Sequence, residues 1–102
     1  MYARPEALLF PTPRERLVDA QGRPYFLWDS DMTLAAFEAA LQDPDPEVRA
    51  WLIGKLMRQA KPDDVFQFVS LATIRAHWTL VERYLGQRRA FWNWLLDGWK
   101  AA

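Results

Sequence analysis

From residue 33 onward, the apolar residues of this chain recur at spacings of three and four, which is the spacing of one buried helix face. Leu34, Phe37 and Leu41 form the first such set. No later segment alternates apolar and polar residues as a half-buried strand does. The pattern therefore predicts a mainly α protein, a single compact bundle of about five helices. The predicted helices span about residues 33–42, 46–60, 62–68, 71–85 and 88–99.

Residues that favour helix ends lie between these segments. Thr33, Asp45 and Ser70 are predicted N-caps, because their side-chain oxygens can accept the unpaired N–H groups of a first helical turn. Pro46 follows Asp45 at the first helical position, where a missing N–H does no harm. Gly86 is expected to end the helix of residues 71–85 in the left-handed conformation.

The first part of the chain has a different pattern. Residues 1–16 are predicted to form an extended arm, because prolines at positions 5, 11 and 13 break any helix. Residues 17–28 read as a β-hairpin with Gly22 in the left-handed position. The run from Tyr25 to Trp28 is then expected to insert its aromatic rings into the core. Residues 17–102 are predicted to form one helical domain.

Composition excludes several kinds of site. The chain has no cysteine, which excludes disulfides, thiolate catalysis and zinc–thiolate centres. Its single histidine, His77, cannot form a multi-histidine metal site, and no local spacing places a nucleophile or an orienting carboxylate beside it. We therefore expect a structural histidine and no cofactor.

The hydropathy pattern indicates the cellular location of the protein. No apolar run approaches the roughly 18 residues that span a bilayer. Prolines and charges interrupt the N-terminus, so it lacks the apolar core of a signal peptide. We therefore expect a cytoplasmic protein with no membrane partner.

The stretch PYFLWDSDMT resembles the DxDGT motif of the haloacid dehalogenase superfamily. In those phosphotransferases the first Asp is the nucleophile and the second is the acid/base and metal partner. Met32 replaces the motif's glycine here, and no later strands supply the parallel sheet of that family. We expect Asp29 and Asp31 instead to accept N–H groups at the start of the helix near Thr33, whose positive dipole end favours carboxylates. An Asp-based phosphotransferase is thus the least favoured function.

A second stretch, LQDPDPEVRAWLIGKL, resembles the junction between the two helices of a HEAT-type repeat. The matching positions are Asp43, Pro44, Val48, Arg49 and Leu56. Trp51 departs from the pattern, since small residues are usual there. A solenoid needs several repeats and only one is visible, so the resemblance implies a helical hairpin.

Four stretches in order resemble a group of small uncharacterised bacterial proteins encoded beside AbiEii-type nucleotidyltransferase toxins. They are PYFLWDSDMT, DPEVRAWLIGKLMRQA, DDVFQFVSL and YLGQRRAFWNWLL. The resemblance covers about residues 24–99, and its motifs are structural. It implies a cytoplasmic accessory or antitoxin-like partner of a nucleotidyltransferase, with no enzymatic activity of its own.

Two tryptophans fall outside the predicted apolar faces. Trp51 lies with Lys55 and Arg58 on the polar face of its helix, and Trp94 points away from the apolar stripe of the last helix. An exposed tryptophan beside a small residue or an arginine is a common anchor of protein interfaces. The alternative is that the hairpin, the arm or a neighbouring helix covers them. Trp51, Lys55, Arg58 and Trp94 are the predicted partner-binding residues of a protein–protein interaction module.

The apolar arm suggests one partner for this module. Leu8, Leu9 and Phe10 form a short apolar patch in the otherwise proline-rich arm. A second copy of the chain could be clasped by this patch. A homodimer through the N-terminal arm is therefore expected as one mode of assembly.

Binding of nucleic acid is the alternative function. Arg75 and Arg83 lie on one helical face, Arg88 and Arg89 begin the next helix, and Trp94 could add a surface on which a base stacks. Thirteen basic and thirteen acidic residues give a formal net charge of zero. Because affinity for nucleic acid depends on excess positive charge, we expect this binding to be weak.

Overall fold

The computed structural model describes residues 10–99, without the side chain of Trp99, and within them the fold is helical. Its α-helices are α1 (Arg14–Leu17), α2 (Leu34–Ala40), α3 (Pro46–Gln59), α4 (Pro62–Val65), α5 (Leu71–Ala76), α6 (Trp78–Val81) and α7 (Arg89–Trp99). Three 3-10 turns span Tyr25–Leu27, Glu82–Tyr84 and Gly86–Arg88. The mainly α class is confirmed. The described residues form seven α-helices where about five were predicted.

Helix α3 is the centre of the fold. It packs against α2, α4, α6 and the three 3-10 turns. Ala50 and the run from Leu52 to Met57 are buried, so the helix is covered on nearly all sides. The largest buried side chains around it include Trp92, Phe26 and Phe37.

A close approach at Gly54 lets a neighbouring turn pack on α3. A Cβ atom at this position would lie 2.6 Å from Cβ of Tyr84. The 3-10 turn Glu82–Tyr84 therefore sits closer to the helix backbone than any other residue type at position 54 would allow.

The predicted β-hairpin is wrong. Residues 17–28 contain one isolated antiparallel bridge, between Val18 and Pro24, and a 3-10 turn begins directly after it. Proline has no N–H to continue a ladder. The carboxylate of Asp19 accepts the backbone N–H groups of Gln21 and Arg23, at 2.9 and 3.0 Å. Gly22 does take the predicted left-handed conformation, with φ of 79°.

The predicted arm is not extended along its whole length. Residues 1–9 lie outside the described residues, but Arg14–Leu17 forms a single helical turn directly after Pro13. Proline at the position preceding a first turn is compatible with helix, because its missing N–H is not needed there. Leu17 is fully buried and fixes this turn on the body.

The predicted helix of residues 71–85 is broken at His77. The chain leaves the helical region there (φ −103°, ψ 5°) and resumes as α6 and then as a 3-10 turn. The carbonyl oxygen of Thr73 accepts the backbone N–H of His77 at 3.1 Å and also contacts its Nδ1 at 2.8 Å. The His77 side chain thus folds back onto the carbonyl oxygen of the preceding turn at the point where the regular helix ends.

The predicted caps are confirmed. The side chains of Thr33, Asp45 and Ser70 accept the N–H groups of Ala36, Glu47 and Thr73. Gly86 has φ of 54°, as predicted for the left-handed end residue. Helix α3 ends within one residue of its predicted bound, whereas α2 and α4 are shorter than predicted.

Candidate interaction surface

The predicted partner-binding residues of α3 form one stripe, because positions 51, 55 and 58 are separated by four and three residues. The Trp51 side chain is 46% exposed. Lys55 is a buried residue, 7% exposed, and its Nζ lies 5.5 Å from the centre of the Trp51 ring. A lysine ammonium over an indole ring is attracted by the negative face of the ring.

Lys55 is held by an acid from outside the helix. Its Nζ donates to Oδ2 of Asp29 at 2.8 Å. This hydrogen bond is the largest cause that lowers the pKa of Asp29, and a longer contact from Gln59 adds to it. Asp29 is therefore ionised at neutral pH and paired.

The expectation that Asp29 and Asp31 cap the helix near Thr33 is wrong. Asp29 pairs with Lys55, and Oδ1 of Asp31 accepts from Arg23 at 3.3 Å. The two acids thus face different cations. Within residues 10–99 there is no β-strand and no group of three potential metal ligands. The parallel sheet that a dehalogenase-type phosphotransferase needs is therefore missing from this part of the chain.

Trp28 is a surface residue that the sequence analysis assigned to the core. Its side chain is 74% exposed, whereas Phe26 and Leu27 are 0% and 1% exposed. In a 3-10 turn successive side chains point about 120° apart, so four consecutive apolar residues cannot all face the core. Trp28 directly precedes Asp29, whose carboxylate pairs with Lys55 of the α3 stripe. We call Trp28, Trp51, Lys55 and Arg58 the tryptophan surface.

A groove of about 390 Å³ runs beside Trp28. Val18, Tyr25 and Leu27 line it together with the exposed Arg16. The groove comes from residues 16–30, where the predicted hairpin would have left a flat two-stranded ribbon.

Arg58 extends the α3 stripe toward the last 3-10 turns. Its Nη1 donates to the carbonyl oxygen of Tyr84 at 2.8 Å. Arg58 also lines a pocket of about 560 Å³ with Leu85, Gln87 and Arg88. Among the described residues, neither arginine has a carboxylate within ion-pair distance. This pocket therefore carries two positive charges that no acid neutralises.

Trp94 is exposed but belongs to a different contact set. It lies on α7 and is 66% exposed, and the centre of its ring is 6.3 Å from the centre of the Phe91 ring. Its neighbour two residues earlier, Trp92, is fully buried. Both predicted tryptophans are therefore exposed, and neither is covered by another part of the described fold. Only Trp51 lies beside Lys55.

Three of the four arginines predicted to contact nucleic acid have separate partners. Arg83 donates twice to Glu47, at 2.8 and 2.9 Å, and this contact raises the pKa of Arg83. Arg89 bonds to Glu82, and Nη2 of Arg75 donates to the carbonyl oxygen of Leu96. Arg75 and Arg88 have no ion pair among the described residues. Acids thus neutralise two of the four charges, which weakens the cationic patch that the helical spacing suggested.

His77 has the contacts of a structural residue. Its Nδ1 contacts the carbonyl oxygen of Thr73 at 2.8 Å, and its Nε2 accepts from Nε of Arg49 at 3.3 Å. Arg49 in turn donates to the carbonyl oxygen of Asp43 at 2.8 Å. The histidine therefore ties the break between α5 and α6 to the start of α3.

The sequence analysis missed one polar cluster entirely. Asp64 is fully buried and accepts four hydrogen bonds, from Thr12, Tyr25 and Gln67. Two of these partners lie 52 and 39 residues away in the sequence. No local pattern pairs them, since the stretch around Asp64 reads as a helix boundary.

Comparisons of the chain with protein-family models, with curated proteins and with solved structures found no match. Inferences about function therefore rest on the residues and geometry of this chain. No helix in residues 10–99 is long and apolar enough to cross a membrane.

Proposed function

We propose that this protein is a non-enzymatic interaction module that binds another protein through the tryptophan surface. The observation that carries the proposal is the exposure of Trp28 and Trp51, 74% and 46%. Trp28 directly precedes Asp29, and Lys55, the partner of Asp29, lies beside the Trp51 ring. Tryptophan contributes more binding energy at protein interfaces than almost any other residue.

The charges of this surface favour a partner of a particular chemistry. Lys55 and Asp29 neutralise one another, whereas Arg58 and Arg88 share a pocket without an acid. A partner that places an apolar side chain on Trp51 and a carboxylate between the two arginines would satisfy both features. We therefore propose an acidic protein face as the ligand.

The stretches within residues 24–99 that resemble the toxin-adjacent bacterial proteins support one class of partner. We propose a nucleotidyltransferase toxin as the partner, with this chain as its accessory or antitoxin-like protein in the cytoplasm. The net charge of zero supports a protein ligand more than a polyanion.

Affinity purification of the tagged full chain from its own cells tests the proposal. A stoichiometric partner, identified by mass spectrometry, would be produced separately and titrated against wild-type and variant chains. We expect Trp51→Ala and Arg58→Glu each to weaken binding at least tenfold. Arg14→Glu is the matched control, because Arg14 is an exposed arginine paired with Glu38 away from this surface. A partner whose affinity is unchanged by the first two variants would refute the assignment.

Self-association through the N-terminal segment is a second mode that we propose for this module. Phe10, the last residue of the apolar patch in the arm, is 85% exposed. Light scattering over a range of concentrations would measure the mass of the wild-type chain and of Phe10→Ala. A monomer at every concentration would remove this mode and leave the tryptophan surface unaffected.

Nucleic-acid binding is the alternative, and one observation favours it: the unneutralised pocket between Arg58 and Arg88. Titration with labelled RNA and DNA at low salt separates it from protein binding. We expect no binding, because Arg83 and Arg89 are engaged with acids. Binding that Arg88→Glu abolishes would favour the alternative.

A further inference from the structure

A buried carboxylate holds the N-terminal segment to the helical body. Oδ1 of Asp64 accepts the backbone N–H of Thr12 at 2.6 Å, and Oδ2 accepts its hydroxyl at 2.7 Å. Asp64 itself is fully buried. A buried carboxylate is tolerated only when hydrogen bonds replace its water, so these contacts matter to Asp64 as much as to Thr12.

Further side chains of the body bind the main chain of the segment. Nε2 of Gln67 donates to the carbonyl oxygen of Thr12 at 3.0 Å. Oδ2 of Asp63 accepts the backbone N–H of Phe10 at 2.9 Å. The backbone N–H and the carbonyl oxygen of Thr12 are thus both paired with side chains of the body. Asp64 belongs to α4 and Gln67 follows it. Recognition of a main chain by side chains is the way that extended peptides are held in a binding site.

Apolar burial contributes little to this attachment. Phe10 and Pro11 are exposed and Thr12 is only half-buried, and the first fully buried apolar residue is Leu17. Hydrogen bonds rather than hydrophobic contacts therefore hold residues 10–12. Because each hydrogen bond replaces one to water and so contributes only modestly to stability, the attachment is weaker than the packing of the core.

The body keeps its own contacts to Asp64 when the segment is absent. The hydroxyl of Tyr25 donates to Oδ2 at 2.6 Å and accepts the N–H of Lys61 at 2.9 Å. Gln67 also donates to Oδ1 at 3.0 Å. Departure of the segment would leave the carboxylate with two protein donors and new access for water, so the helical core need not unfold.

We propose that Asp63, Asp64 and Gln67 form a latch that holds residues 10–12 and opens while the helical body stays folded. The closed latch fixes where the N-terminal segment leaves the body, with the Phe10 side chain exposed. The open latch frees residues 10–12, including the exposed Phe10 side chain, to meet a partner. The segment is thus a strap whose release is separable from unfolding.

Amide hydrogen exchange of the full chain, followed residue by residue by NMR, tests the latch. We expect the Thr12 amide to exchange at least tenfold faster in Asp64→Asn, while the amides of α3 change less than twofold. Thr12→Val provides a second variant that removes the hydroxyl from the segment and leaves Asp64 and the body intact. It should accelerate exchange of the same amide in the same selective way.

Asp19→Asn is the matched control, because Asp19 also accepts backbone N–H groups but lies outside the latch. It should leave the Thr12 amide unchanged. The proposal is overturned if Thr12 exchange is unaltered in both latch variants. It is equally overturned if Thr12 and the α3 amides accelerate by the same factor, because the segment would then open only with the whole protein.

Discussion

The indole Nε1 of Trp92 donates a buried hydrogen bond to the main-chain carbonyl oxygen of Met57, at 2.9 Å. Met57 belongs to the last turn of α3, whose carbonyl groups lack partners within the helix. A side chain from α7 therefore completes the end of the central helix. Trp92 thus contributes buried aromatic surface and also the hydrogen bond that caps the C-terminal end of α3.

Trp92→Phe should lower the free energy of unfolding by about 1–3 kcal/mol, because it removes ring volume and leaves the Met57 carbonyl unpaired. Urea denaturation followed by circular dichroism would measure the loss. Trp94→Phe is the matched control on the same helix, and its effect should stay within about 0.5 kcal/mol. Equal losses in the two variants would contradict the assignment of the cap.

Gly54→Ala should destabilise the protein even though alanine favours helix. The propensity gain is about 1 kcal/mol, but the new Cβ would meet Cβ of Tyr84 at 2.6 Å. Both atoms lie next to the backbone, so the 3-10 turn has to move and we expect a net loss of about 1–3 kcal/mol. A variant that is more stable than wild type in urea denaturation would show that the turn separates from α3 at little cost.

Asp45→Ala should reduce stability by about 0.5–2 kcal/mol through loss of the α3 N-cap. The Oδ1 atom of Asp45 accepts the Glu47 N–H at 2.9 Å, and alanine cannot replace it. Asp45→Asn keeps an acceptor and should retain most of the stability. Thermal unfolding of the three proteins side by side would check this order.

Lowering the pH should protonate the Asp64 carboxylate and weaken the hydrogen bonds that it accepts. Burial acts to raise the pKa of Asp64, but the hydrogen bonds from Tyr25, Thr12 and Gln67 outweigh it and the pKa is lowered overall. A carboxyl group with a lowered folded pKa stabilises the fold above its unfolded pKa of about 4. That contribution is lost as the pH falls through the folded value.

The measurement for this prediction is the free energy of unfolding of wild type and Asp64→Asn at several pH values from 7 to 3. The difference between them should be constant at neutral pH and should shrink below about pH 4. Asp29 also has a lowered pKa but is common to both proteins, so its contribution cancels. A difference that does not depend on pH would contradict the role assigned to the Asp64 carboxylate.

Local signals predicted part of this fold well. Asp45 and Pro46 start α3, and Lys61 with Pro62 follows its end, so its bounds could be read within a residue. Capping depends on neighbours a few residues apart, which is why it is visible in a sequence. The break at His77 coincides with a contact of its side chain with the Thr73 carbonyl oxygen, and apolar spacing alone carries no sign of it.

The candidate site was predictable on one helix only. The spacing of Trp51, Lys55 and Arg58 placed them on one face, of which Trp51 and Arg58 are exposed and Lys55 is buried. Trp28 was assigned to the core because a strand was expected, whereas Pro24 leads into a 3-10 turn that turns it outward. The Asp64 cluster joins residues 52 positions apart, and no single-sequence pattern reports such a pairing.

The uneven placement of the tryptophans has a spectroscopic consequence. Trp28, Trp51 and Trp94 already face solvent in the folded chain, while Trp92 is enclosed and donates its indole hydrogen to a carbonyl. Denaturation should therefore change the emission of Trp28 and Trp94 little and that of Trp92 strongly. A chain that keeps Trp92 as its single tryptophan would report directly on the docking of α7.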